Sequence, residues 1–177
     1  MLFPAKEWKQ IVAEDNNRKA VFMKFVLPLL CLIAIATIIG TWFYSSRDFY
    51  SAIYVLRKIT IILASLIAGL YASAFVITEI MANQVGSRNH HRAFALLAYS
   101  SGAAYLVIAV VALFPILIEL LVLMFYACYL YWQGIPHLIQ IEGQKHLIYS
   151  LISFIVVVLV HYIMFFFFGN VLEAILV

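Results

Sequence analysis

Polar and apolar positions barely interleave along this chain. Apolar residues run on for about twenty positions at a time, the length a helix needs to cross a bilayer's hydrocarbon core, and short polar clusters separate the runs. The pattern predicts five membrane-spanning helices, at about Val21 to Phe43, Ile59 to Met81, Ala93 to Leu113, Pro115 to Trp132 and Leu147 to Phe168. The stretch from Ala93 to Leu138 carries no Lys or Arg, one acid at Glu119, and one break at Phe114-Pro115. It reads as two spans folded back on each other at Pro115. Pro28, one turn beyond Lys24, favours a kink in the first span. That run lacks the short apolar region and cleavage site of a signal peptide, so it is expected to stay as an anchor.

The connectors follow from the same pattern. Leu2 to Val12 opens with Pro4, suited to a first helical position, and groups Trp8, Ile11 and Val12 on one face. This predicts either an interfacial amphipathic helix with Trp8 at headgroup level or a short surface helix that caps the bundle. Residues 1–19 then form a cytoplasmic helix and connector, and 20–177 one transmembrane domain. Ser45 to Lys58 is expected to be an interfacial connector, and Ala82 to Arg92 a wet loop. Gly134 and Pro136 predict a turn within Gln133 to Lys145, and Gly169-Asn170 predicts the end of the last span.

Composition agrees with a membrane medium: 67% of residues are hydrophobic and 11% charged, against about 25% charged in soluble domains. The fold class expected is therefore an all-α polytopic membrane protein, a five-helix bundle. Charge adds orientation. Eight of the eleven Lys and Arg residues (Lys6, Lys9, Arg18, Lys19, Lys24, Arg88, Arg92, Lys145) fall on one side and Arg47, Arg57 and Lys58 on the other. The positive-inside rule predicts a cytoplasmic N-terminus and an outside C-terminus. No basic stripe points to nucleic acid.

The runs LLAYSS (Leu96 to Ser101), LFP (Leu113 to Pro115) and YACYLYWQGIPHLI (Tyr126 to Ile139), with the opening LFPAKEWKQI, resemble the Yip family of Ypt/Rab-interacting membrane proteins in its short prokaryotic form. The resemblance implies five spans, a cytosolic N-terminus, and a non-enzymatic role as a membrane adaptor or bilayer-organising, trafficking-type factor. The long N-terminal region and Asp-Leu-x-Gly-Pro motif of eukaryotic members are not found here, so a bacterial inner membrane is the expected address. Expected partners are the lipid bilayer, other membrane proteins or a second copy.

Candidate chemistry sits in intramembrane polar groups, which are costly and usually paired. Lys24 and Glu79 lie at matching depths near the inner side, as a helix-to-helix ion pair, as two side chains snorkelling separately, or as part of a partner or proton site. Glu119 lies one turn into the fourth span near the outer side, within reach of Arg57, Lys58 and His161. It either neutralises itself against a cation or, with His161, forms the core of a small proton- or cation-coupled transporter or channel. His90, His91, His137 and His146 share the inner side with Glu142, where zinc or nickel is chemically conceivable, but no ligand spacing demands either. Neither metal nor cofactor is expected. Ser100-Ser101-Gly102 lacks a nucleophile-elbow frame, and no phosphate loop or other catalytic constellation is present. Small residues instead predict close helix packing: Ser65, Gly69 and Ser73 recur every four positions with Ala72 beside them, and Ser100, Ser101 and Gly102 form a second patch. Cys31 and Cys128 are mid-span and behave as small apolar groups.

Overall fold

The computed structural model describes residues 4–14, 17–44, 52–85, 89–138 and 144–176, and among these every regular element is helical. A short helix α1 (Pro4–Glu14) precedes five helices long and apolar enough to cross a membrane. These are α2 (Arg18–Tyr44), α3 (Ala52–Val85), α4 (His90–Leu113), α5 (3-10 over Pro115–Met124, then α over Phe125–Leu138) and α6 (Gln144–Leu176).

Local sequence explains the irregularities. Pro28 has no N–H to give the carbonyl four residues back, and its ring crowds that carbonyl. α2 meets this with a π turn over Phe22–Val26, in which the Leu27 N–H donates to the Phe22 carbonyl five residues earlier. The turn widens the helix just ahead of the proline. At the other break, Phe114 is held extended (φ −126°, ψ 84°), because a residue before proline is excluded from helical geometry. At its start α4 is capped by Asn89, whose side-chain oxygen accepts the Arg92 N–H at 3.2 Å.

Several boundaries differ from the sequence expectation; residues 82–85 and 90–92, expected in a wet loop, are the end of α3 and the start of α4. Gly134 and Pro136 do not turn the chain; both stay inside α5, which runs to Leu138. Gly134 is buried because other side chains occupy the space its Cβ would take, and Pro136 falls in the last turn, where it costs few helical bonds. Gly169-Asn170 does not end α6. The Asn170 side-chain amide donates to the Phe166 carbonyl at 2.7 Å, so the residue serves the helix instead of breaking it. Ala52 to Lys58 is part of α3 and not a connector; residues 45–51 lie outside the described part. At 1.5 Å rise per residue α3 is about 50 Å long, so it projects beyond a hydrocarbon core of about 30 Å.

Packing centres on α4, which meets α2, α3 and α5 and buries the continuous run Ala93 to Ala98. α6 lies outside it, chiefly against α3. Several buried hydroxyls close on their own helix: Thr37 donates to the Ile33 carbonyl (2.7 Å), Ser65 to Ile61 (2.6 Å) and Thr78 to Ala74 (2.7 Å). In hydrocarbon this removes the cost of an unmade bond. The outer faces carry large exposed apolar side chains, among them Phe43, Phe125, Tyr162 and Phe166.

Candidate functional site

The row of small residues on α3 sets the closest helix contact at the site. Ser65 and Ser73 are buried, and Gly69 between them lies directly under the His161 ring of α6. A Cβ at Gly69 would come within 2.7 Å of Cδ2 and 3.0 Å of Nε2. Only a residue without a side chain lets an imidazole lie against the backbone at this depth. His161 Nδ1 is 2.9 Å from the Val157 carbonyl and 3.4 Å from Ser73 Oγ. A carbonyl can only accept, so Nδ1 carries the proton and Nε2 is left as an acceptor. Ala72, beside the row, is half-buried.

Beside this contact the four helices α3 to α6 line an open-sided cavity of about 310 Å³. Ser65, Ser100, Ser101, Tyr105, Tyr131 and His161 border it, along with Ala104, Ala127, Val158 and other apolar side chains. Ser101 donates to the Ala98 carbonyl at 3.1 Å. Ser100, Tyr105 and Tyr131 are each almost wholly buried, and their hydroxyls have no hydrogen-bond partner. Ser101 lies beside Tyr105 and Ser153 beside Tyr131, yet neither phenol closes a bond of good geometry. Gly102 faces the opposite way, where a Cβ would stand 2.6 Å from the Phe25 ring of α2.

Among the described residues, the other sequence candidates do not line the cavity. Glu119 is exposed on the 3-10 part of α5 and does not line the cavity. Arg57 instead stands 3.8 Å from Glu173 near the end of α6, an acid beyond the expected end of the last span. Lys58 is half-buried, Lys24 exposed and Glu79 half-buried. His161 is not two turns from a helix end: the apolar segment continues from Ile148 to Ala174, which puts it in the middle. His90 stacks on Phe75 (centroids 6.1 Å, 12° between planes), His91 is exposed and His137 half-buried. The His146 side chain lies outside the described part, and among the described residues no three His, Cys, Asp or Glu gather as metal ligands.

Trp8 corrects the expectation of a headgroup anchor. It is fully buried in protein, its indole fitting the slot left by Gly134, where a Cβ would stand 2.8 Å from the ring and would also strike Leu96. Tyr99 of α4 meets the indole edge to face, at 6.4 Å and 86°. α1 is thus fastened to the end of the bundle formed by α4 and α5. The missed signal was Gly134, which reads equally well as a turn former or as a socket.

Against this arrangement the Yip1 domain model matches residues 1–166, nearly the whole chain and every element that builds the cavity except the end of α6. The chain belongs to the Yip1-domain family. Neither the curated proteins nor the solved structures give a match. This Yip1 domain is therefore a multi-pass membrane protein in which α1, matched along with the spans, is an integral part of the packed unit.

Proposed function

We propose that the chain is a non-enzymatic membrane adaptor or bilayer-organising protein of the trafficking type, with a bacterial inner membrane as its address. What supports this reading is the fate of the intramembrane polar groups. His161 is spent on helix packing against Gly69, Ser65 and Thr78 bond their own helices, and Glu119 stands apart on the surface of α5. Such groups do not line a continuous polar path. The cavity that His161 borders has almost wholly apolar walls, and apolar cavities exclude water. Membership of the Yip1-domain family supports a role among other membrane proteins. The adaptor's contact face is then the outward side of α1, where Lys9 and Gln10 are exposed while Trp8 holds the helix in place.

In-cell photocrosslinking tests this with a photoreactive residue in place of Lys9 or Gln10. Discrete crosslinks to a membrane protein that disappear with Trp8→Ala support the adaptor. Crosslinks to lipid alone would contradict it.

A further inference from the structure

The cavity has the features of a site for a particular kind of lipid. By the benchmark that a hydrocarbon-lined cavity of about 150 Å³ accepts benzene, its roughly 310 Å³ has room for a segment of about twelve carbons. Its walls are almost entirely hydrocarbon, so the body of an occupant is a chain. The 3-10 half of α5 packs on α4 and on the rest of α5, with no comparable contact to α6 among the described residues. Met124 and Ala127 on one side and Val158 and Phe165 on the other therefore leave a lateral opening toward the bilayer.

The polar groups at the site select the head of that chain. His161 Nε2 is an acceptor because Nδ1–H is committed to Val157, so it calls for a donor. Ser100, Tyr105 and Tyr131 border the same cavity with side chains nine-tenths or more buried; their hydroxyl oxygens sit behind its wall without a bond of good geometry, so a side-chain turn brings each to an occupant. These can give as well as accept. A hydroxyl is the small group that donates to an imidazole nitrogen while accepting from a phenol or a serine. Depth excludes a charged head. His161 is thirteen residues from either end of Ile148–Ala174, about 20 Å along the helix. That places it near the middle of a core about 30 Å thick, and among the described residues no Lys, Arg, Asp or Glu lines the cavity. A phosphate or carboxylate there would be desolvated without a partner.

We infer that the cavity between α3, α4, α5 and α6 binds an uncharged, hydroxyl-bearing lipid such as a diacylglycerol, its hydroxyl at His161 Nε2 and one chain along the wall of Ala104, Ala127 and Val158.

The test uses the full chain in bilayer nanodiscs with a diacylglycerol carrying a diazirine in one chain, and adducts mapped by mass spectrometry. Adducts concentrate on α5 and α6 around Ala127 and Val158 and are competed by unlabelled diacylglycerol. Ala127→Trp fills the space and abolishes them. His161→Leu keeps the bulk but removes the acceptor, and labelling falls roughly two- to tenfold, as loss of one buried hydrogen bond implies. Size-exclusion profiles and melting curves establish that both variants are folded; a third variant, Tyr131→Phe, lowers labelling without touching the α3–α6 contact. Adducts spread evenly over exposed residues such as Phe166 and Tyr162, or labelling indifferent to Ala127→Trp, would overturn the site. Equal labelling of the same residues by a diazirine phosphatidylcholine would overturn the selection for an uncharged head.

Discussion

The imidazole of His161 lies flat against the backbone of Gly69, close enough that a single added methyl would come within 2.7 Å of the ring. It registers α3 against α6, together with Ser73 beside the same ring and the Arg57–Glu173 pair near the end of α6. Gly69→Ala is therefore expected to destabilise the bundle by about 1–3 kcal/mol through overpacking. In a His161→Ala background the same substitution has room, and most of that cost disappears. Thermal melts of the four proteins measure the coupling; independent effects that simply add would show that the two residues do not touch.

Trp8 fastens α1 to the bundle. Truncating a fully buried indole removes apolar contact and leaves a cavity, so Trp8→Ala is expected to cost about 3–5 kcal/mol and to release α1. The exposed Lys9 then becomes a tryptic site in folded protein. Gly134→Leu, which blocks the slot from the α5 side, produces the same cleavage with Trp8 intact. Resistance of both variants would place α1 elsewhere.

Glu119 and Arg57 separate cleanly. Glu119 is exposed and has no ion pair among the described residues, so Glu119→Gln is expected to change stability by less than about 0.5 kcal/mol. The difference from wild type should stay flat between about pH 5 and 8, since no ion pair joins Glu119 to His161 among the described residues. Arg57→Ala loses the partner of Glu173, but with the acid exposed and the gap at 3.8 Å the cost is about 1 kcal/mol at most. A Glu119→Gln deficit confined to acidic pH would reinstate a pair with His161.

Much of this architecture was legible because the bilayer leaves so few alternatives. Twenty apolar residues in a row have one stable form in hydrocarbon, and Phe114-Pro115 can only break a helix. The small row Ser65-Gly69-Ser73 declared a packing face without naming what packs there. What stayed illegible depends on a residue's neighbours across space. Gly134 and Pro136 carry turn signals that tertiary contact overrides, since the Trp8 indole needs the missing Cβ. Amphipathic spacing in α1 is the same whether its apolar face meets lipid or protein. The cavity has no sequence signature, for it is a space between four helices and not a property of any one.

Topology gives a further expectation. Single cysteines at Asn89 and at Glu142 should be protected from an impermeant thiol reagent in intact cells, and one at Ser46 labelled, because eight of eleven basic residues group on the predicted inner side. Trp8 of α1 packs between Tyr99 of α4 and Gly134 of α5, so the start of α4 and the end of α5 lie at one end of the bundle. Labelling at Asn89 with protection at Ser46 would reverse the orientation.

The central claim is that the intramembrane polar groups organise packing and do not conduct. Its most direct test is proton and cation flux into vesicles reconstituted with the purified chain, followed with a pH-sensitive and a cation-sensitive dye under an imposed gradient. The account predicts rates equal to those of protein-free vesicles and unaltered by His161→Ala or Glu119→Gln. Flux above that background, abolished by either substitution, would contradict it.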